Sequence, residues 1–240
     1  MNERNGMRHL IPILSIGVLF FSCNQQTQRM KNFEVHGIDV SHHQSNIDWD
    51  RVATQDIHFA FVKATEGETH NDSLFCYNWE EMQRVGITRG AYHFFRPLLS
   101  VFKQVGNFTD WVEMEAGDLP PVLDVEVMDG VSKIELINKV RTWLFLMEIR
   151  CNIKPIIYTN QKFYNKYLAG YFSDYPIWIA RYSSWRKPHL RKGPDWTFWQ
   201  YGDKGQLKGI QGPVDFNVFR GNIFELNAMC LAEPVVLSQH

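Results

Sequence analysis

Short apolar runs that alternate with segments of helical spacing constrain the fold of this chain more than any other feature. Each run is almost continuously apolar, which is typical of strands buried on both faces. Strands that alternate with helices predict a parallel sheet covered by helices. Because eight runs fit between residues 35 and 218, we expect an α/β fold whose sheet closes into a compact TIM-like (β/α) barrel. The runs span residues 35–40, 58–64, 88–95, 122–127, 155–159, 177–181, 197–201 and 214–218.

The segments between the runs change in character along the chain. The clearest helix is predicted over residues 132–150, where Ser132 and Glu135 have the spacing of a capping box. The last third instead carries frequent Gly and Pro, which interrupt helices. We therefore expect an irregular barrel whose last third is rich in strands and lacks full helices. The core-facing stripe of the predicted helix is Ile134, Ile137, Val140, Leu144 and Met147.

Two carboxylates, Asp124 and Glu126, lie two residues apart in the fourth run. Alternate residues of a strand share a face, so both side chains should point the same way. Loss of hydration and mutual repulsion would move their pKa values apart, which supplies a proton donor and an anionic partner at neutral pH. Two solvated acids at a strand terminus are the alternative interpretation of this pair taken alone. Asp39 also ends a predicted strand, and Asp215 lies in the last one, 214–218. The active sites of such barrels form at the carboxyl ends of the strands.

Charge and cysteine content narrow the classes of partner. Lys and Arg number 25 against 26 Asp and Glu, so the balance gives no electrostatic argument for nucleic acid. The adjacent His42 and His43 would point apart on an extended chain, and no C-x-x-C spacing occurs, so no metal or cofactor is predicted. Cys76, Cys151 and Cys230 are expected to form at most one disulfide.

The first 22 residues differ from the rest of the chain. Arg4 and Arg8 precede an apolar run from residue 10 to 21, which is too short to span a bilayer but fits a signal sequence. Ser22 and Cys23 then follow in a pattern that resembles the lipobox of bacterial lipoproteins. This resemblance implies cleavage before Cys23 and its acylation, so that the protein is exported to the cell envelope and reaches a membrane through a lipid anchor only. A plain secretory signal is the alternative.

The expected organisation is therefore a single barrel behind an export signal. The signal peptide covers residues 1–22, a tether 23–33, the barrel 34–224 and a C-terminal tail 225–240.

Eight segments occur in an order that resembles one enzyme family. In sequence they read GIDVSHHQ at 37–44, FVKATEG at 61–67, GAYHF at 90–94, PVLDVE at 121–126, IIYTN at 156–160, IWIARY at 177–182, WQY at 199–201 and VDFN at 214–217. Together they are similar to glycoside hydrolase family 25, the Chalaropsis-type lysozymes, which are N-acetylmuramidases. The resemblance covers residues 35–220, and it departs from the family pattern at Ser45 and His70, which lie in predicted loops.

The resemblance implies a role for individual residues. Glu126 matches the general acid, which protonates the glycosidic oxygen between N-acetylmuramic acid and N-acetylglucosamine in peptidoglycan. Asp124 matches a second essential carboxylate, which orients the substrate acetamido group or stabilises positive charge. The family favours retention of configuration, with the substrate's 2-acetamido group as nucleophile. Residues that match substrate-binding positions are Asp39, Asp215, Tyr92, Tyr158 and Trp178.

These roles predict a monomeric lysozyme without a cofactor, whose partner is the glycan strand of peptidoglycan. Two other functions remain open from the sequence. A non-catalytic barrel could keep the cleft for glycan binding, although it would not need all four acids. A chitin-type hydrolase could use a similar barrel on a glycan that lacks the lactyl group.

Overall fold

The computed structural model describes residues 27–183 and 185–233, and its strands all belong to one sheet. They are β1 (His36–Val40), β2 (Phe59–Glu66), β3 (His70–Asn71), β4 (Thr88–Phe94), β5 (Val122–Asp124), β6 (Ile156–Asn160), β7 (Ile177–Ala180), β8 (Phe198–Gly205) and β9 (Val214–Phe219). Eight of them close into a barrel, because β1 pairs with β2 on one side and with β9 on the other. β3 is a two-residue addition to the end of β2. The predicted TIM-like barrel is confirmed.

Apart from β3, which pairs antiparallel with β2, neighbouring strands are parallel from β1 to β8, but β9 runs antiparallel to both of its neighbours. The eight predicted strands are therefore all present, while the prediction of a wholly parallel sheet is wrong at the last one. The reason is the short connection after β8, since a parallel crossover needs a dozen or more residues and normally a helix. The chain instead turns back at once and pairs with β8.

Helices cover the outside of the barrel between β1 and β7, and one further short helix follows β9. They are α1 (Trp49–Ala53), α2 (Phe75–Arg84), α3 (Val101–Trp111), α4 (Lys133–Cys151), α5 (Gln161–Phe163), which continues into a π-helical turn (Tyr164–Leu168), and α6 (Ile223–Ala228). Within the described residues no helix lies between β7 and β9, so the strand-rich last third is confirmed.

The helix α4 forms where its sequence signals predict it. The Ser132 hydroxyl accepts a hydrogen bond from the Glu135 backbone at 3.2 Å, which caps the first turn. The predicted apolar stripe is wrong at Ile134, which is 75% exposed. Leu136 and Trp143 are buried in its place, because the face that packs on the barrel is rotated by part of a turn.

The alternation of side chains along each strand separates two cores. Residues that point outward pack beneath the helices, as Ala60 and Val62 of β2 do. Residues that point inward fill the barrel with rings, and Phe61 stacks on Trp178 with 4.3 Å between ring centroids. Gly90 lies beside Phe61 on the neighbouring strand, where a larger residue would overlap the ring. Aromatic side chains therefore fill the interior of the barrel, below a polar rim at the carboxyl ends of the strands.

Described residues on both sides of the predicted barrel, 34–224, also pack against it. Thr27 pairs with the backbone of Lys204, and Phe33 packs against Trp196, so the described part of the predicted tether lies on the barrel. At the other end Leu226 of α6 is fully buried within the predicted tail. Phe33 packs against the outer core, whereas Leu226 belongs to the core inside the barrel. The predicted signal peptide and Cys23 lie outside the described residues.

The structure contains neither a disulfide nor a membrane-spanning helix among its described residues. Cys76, Cys151 and Cys230 are free thiols in the structure. Among the described helices, none is both long enough and apolar enough to cross a bilayer.

Candidate active site

A cavity of about 240 Å³ opens at the carboxyl ends of the strands, above the aromatic rings that fill the barrel. Its position follows from strand alternation. Inward-facing residues of a strand are two positions apart, so the next one beyond the packed interior, such as Lys63 after Phe61, lies at the rim. All seven residues predicted for catalysis or substrate binding line this one cavity. The lining consists of Asp39, Ser41, His43, Lys63, Tyr92, Phe94, Asp124, Glu126, Tyr158, Trp178, Tyr182, Gln200 and Asp215.

Asp124 and Glu126 share the cavity because the chain stays extended past the end of β5. The Val125 backbone donates a hydrogen bond to Tyr158 at 2.9 Å and points outward, which turns both acids inward. Asp124 is only 5% exposed, and its Oδ1 has no hydrogen-bond partner among the described residues. A buried acceptor without a donor is costly to the fold, so this atom is available to a ligand.

Burial controls the protonation of this pair. It raises the pKa of Asp124 well above its ordinary value, and the neighbouring charge of Glu126 raises it further, while Lys63 lowers it. Burial also raises the pKa of Glu126, and a hydrogen bond from Asn160 lowers it in part. Because two adjacent carboxylates cannot both ionise readily, this site favours a state in which one of the two carries a proton.

A second pair of acids, Asp39 and Asp215, lies on the opposite wall. The two residues are direct partners on the antiparallel ladder between β1 and β9. Asp39 Oδ1 accepts hydrogen bonds from Gln200 Nε2 at 2.9 Å and from Asn217 Nδ2 at 2.6 Å. Burial raises the pKa of Asp39 to about 6. Burial, with the Asp39 charge, raises the pKa of Asp215 to about 8.

The three predicted aromatic residues differ in position. Trp178 is 1% exposed and donates from Nε1 to Asn217 Oδ1 at 2.7 Å. The Tyr158 hydroxyl donates to Gln200 Oε1 at 2.9 Å. Both therefore form the base of the cavity and hold the amides that bind Asp39. Tyr92 is half-buried in the wall, where a sugar can reach it.

Gln200 and Asn217 are site residues to which the sequence analysis gave no role. A signal was present, since each is a polar residue inside an apolar strand, within the family-like segments at 199–201 and 214–217. Tyr182, at the rim and 57% exposed, was also missed. Unlike the expectation for an extended chain, His42 and His43 lie in a 3₁₀ turn with ring centroids 4.0 Å apart. In the part of the chain that the structure describes, no cluster of three or more acids, histidines or cysteines could hold a metal.

Replacing Asp215 with Asn should stabilise the fold at pH 8 and leave it unchanged at pH 4. The unfolded carboxyl titrates near 3.8, whereas the pKa of the folded group is raised to about 8. Between these values the unfolded chain releases a proton that the folded chain keeps, so native stability falls as pH rises from 3.8 towards 8. Solvent reaches Asp215 and screens part of this penalty, so we expect a gain of about 1–3 kcal/mol at pH 8.

Urea unfolding of the Asp215→Asn variant and the wild type at both pH values measures this difference. A gain of the same size at pH 4 and pH 8 would contradict an origin in the titration of Asp215.

Comparisons with known proteins extend these observations. The family model for glycosyl hydrolases family 25 matches residues 38–210. Uncharacterized protein YegX of Escherichia coli strain K12 is 46% identical over 202 residues, which cover 82% of this chain and 74% of that protein. Lysozyme M1 of Streptomyces globisporus is 34% identical over 214 residues, with 81% and 71% covered.

A solved structure agrees in three dimensions as well. The crystal structure of the bacterial lysozyme from Streptomyces coelicolor superposes with a TM-score of 0.79 at 32% identity, covering 83% of this chain and 98% of that one. The family resemblance and the predicted enzyme class, a glycoside hydrolase of the N-acetylmuramidase type, are confirmed. Because the family model matches residues 38–210, a range that includes Asp39, Asp124 and Glu126, the chain belongs to glycosyl hydrolases family 25.

Proposed function

We propose that this protein is a lysozyme that hydrolyses the β-1,4 bond between N-acetylmuramic acid and N-acetylglucosamine in peptidoglycan. The observation that carries the proposal is the pair of inward-facing carboxyls, Asp124 and Glu126, at one barrel mouth. Glycoside cleavage needs a proton for the leaving oxygen and negative charge beside the sugar ring. A buried pair that holds one proton between two carboxyls can supply both.

Glu126 acts as the general acid and base in this proposal. It is more accessible than Asp124 and lies where the cavity opens towards Asn160 and Tyr182, so a glycosidic oxygen can approach it. Burial raises its pKa above the ordinary value, which favours the protonated form that a general acid needs.

Asp124 acts as the anionic stabiliser. Burial favours its protonated form, but an N–H donor at the unpartnered Oδ1 favours the anion. The acetamido group of the substrate carries such a donor. Its arrival therefore places the charge on Asp124 and leaves the proton of the pair on Glu126.

Retention by substrate assistance follows from these roles. With the acetamido N–H held by Asp124, its carbonyl oxygen attacks the anomeric carbon as Glu126 protonates the leaving oxygen. Glu126 then removes a proton from the water that opens the cyclic intermediate. Both steps proceed with inversion at the anomeric carbon, so the net configuration is retained.

The proposal is tested by digesting purified cell walls and identifying the released fragments. Fragments with N-acetylmuramic acid at the reducing end, first formed as the β anomer, would support it. Lack of cleavage with intact glycan binding would favour a non-catalytic barrel. Release of products from chitin oligomers as fast as from peptidoglycan would favour the chitin-type alternative, and an α anomer formed first would exclude retention.

Location is part of the same proposal. An enzyme that acts on the cell wall has to be exported, and the pattern at residues 1–23 supports an exported lipoprotein acylated at Cys23. Intact-mass measurement of the membrane fraction tests this, since a soluble chain that lacks the lipid mass would support the secretory alternative.

A further inference from the structure

A second groove, of about 770 Å³, joins the catalytic cavity on the side of β6 and β7. It shares Glu126, Tyr158 and Tyr182 with that cavity, so the two lie side by side. We define the basic groove by six of its lining residues that have no part in the catalytic roles: Gln161, Lys162, Arg181, Ser183, Trp185 and Arg186.

The charge of this groove is strongly positive. Residues 154–194 hold eight of the 25 Lys and Arg residues of the chain but one of its 26 acids, Asp174. Lys162, Arg181 and Arg186 line the groove, and no carboxylate lies within salt-bridge distance of them in the described residues. Arg96, across the mouth, is instead paired with both Glu66 and Asp129. Cations without acidic partners on one side of a cleft attract anionic ligands.

The cations of the groove are held in position. Arg181 Nη1 donates to Gln161 Oε1 at 2.9 Å, and the same oxygen accepts from the His189 backbone at 3.1 Å. This contact uses one of the five donors of the guanidinium, and the others remain for a ligand. The Arg186 guanidinium lies over the Trp185 ring, 4.2 Å from its centroid. Planar guanidinium groups fixed in this way bind carboxylates with two hydrogen bonds.

We infer that the basic groove binds the stem peptide of the substrate through its free carboxylates. This inference rests on the proposed function, in which the bond beside N-acetylmuramic acid is placed at Glu126. The muramic lactyl group carries a short peptide with free carboxylates, and it leaves the glycan next to the scissile bond. A groove that begins at Glu126 is therefore in reach of that peptide. The exposed Trp185 provides an apolar face for its small side chains.

Other anions fit the shape less well. A bilayer or a nucleic acid needs cations on an open face, whereas these cations line a groove continuous with the catalytic cavity. A free lactyl carboxylate, present when the peptide has been removed, is closer in chemistry. The experiment therefore has to separate the peptide from the lactyl group.

The test uses the full mature protein and soluble glycan chains in three forms. One form keeps native stem peptides, one has the peptide carboxylates converted to amides with carbodiimide and ammonia, and one has the peptides removed by an amidase. The variant is Arg181→Gln with Arg186→Gln. The control is Lys166→Gln with Arg191→Gln, which removes two charges from the same basic segment outside the groove.

On native chains the groove variant should lose about tenfold in kcat/KM, through KM, because hydrogen bonds between charged groups are lost. The wild type should fall to the same level on amidated chains, where the groove variant loses nothing more. The control should match the wild type on every substrate.

An equal loss on native, amidated and stripped chains would overturn the inference, as would a wild type indifferent to amidation. A loss of kcat/KM in the groove variant on stripped chains, absent on amidated chains, would assign the groove to the lactyl carboxylate. Loss of binding to phosphatidylglycerol vesicles with unchanged hydrolysis would assign it to a membrane. If the variant fails to fold, the activity of the wild type on native and amidated chains decides whether the peptide carboxylates are bound. A wild type that cleaves none of the three forms would overturn the proposed function instead.

Discussion

Replacing Glu126 with Gln should lower kcat on peptidoglycan by about 10²- to 10⁴-fold and change KM little. The amide keeps the shape of the side chain but carries no proton that it can transfer to the leaving oxygen. Since burial raises the pKa of Glu126, the wild type should lose activity as pH rises and this group ionises. The variant should lose that dependence together with its rate. Initial rates across a pH series measure both effects.

A matched control comes from Glu66, which forms an ion pair with Lys63 near the same rim, with 2.8 Å between Lys63 Nζ and Glu66 Oε2. Glu66 does not line the catalytic cavity, so Glu66→Gln should retain most of the rate. If Glu126→Gln kept the wild-type rate while Glu66→Gln lost it, the proton donor would be assigned to the wrong carboxyl.

Local signals in the sequence were sufficient to predict the strands and the rim acids. Each strand is an apolar run long enough to identify, and Asp39 and Asp124 stand at carboxyl ends of strands, where a barrel gathers them. Asp215 lies near the start of β9 and reaches the same rim because that strand is antiparallel. The direction of β9 was not predictable in this way. Its apolar run fits either direction, and the choice is made by the short connection and by closure on β1.

The support of the catalytic acids depends on contacts that are distant in sequence. Asp39 is held by Gln200 and Asn217, which lie 161 and 178 residues further along the chain. No periodicity relates such positions, so only the closed barrel brings them together. The packing of Phe33 and Leu226 was missed for the same reason, because a single apolar residue in a polar segment does not indicate what it will contact.

Replacing Asp124 with Asn should lower kcat by about 10²- to 10³-fold, the loss expected when a charge that stabilises a transition state is removed. The asparagine amide can still accept from the acetamido N–H, so substrate binding should weaken far less than the rate. The same change removes a buried carboxyl whose Oδ1 has no partner in the described residues, which should increase the free energy of unfolding at neutral pH. A slower but more stable protein is the expected combination.

The pH profile of Asp124→Asn separates this role from that of the proton donor. The repulsion between the two carboxyls is mutual, so loss of the Asp124 charge should lower the pKa of Glu126 and move the alkaline limb of the profile to lower pH. If Asp124 had no influence on Glu126, the alkaline limb of the profile would stay at the wild-type pH. Rates and urea unfolding measured on one preparation test the three effects together. A variant that is slow, unstable and unchanged in its pH profile would reduce Asp124 to a structural residue.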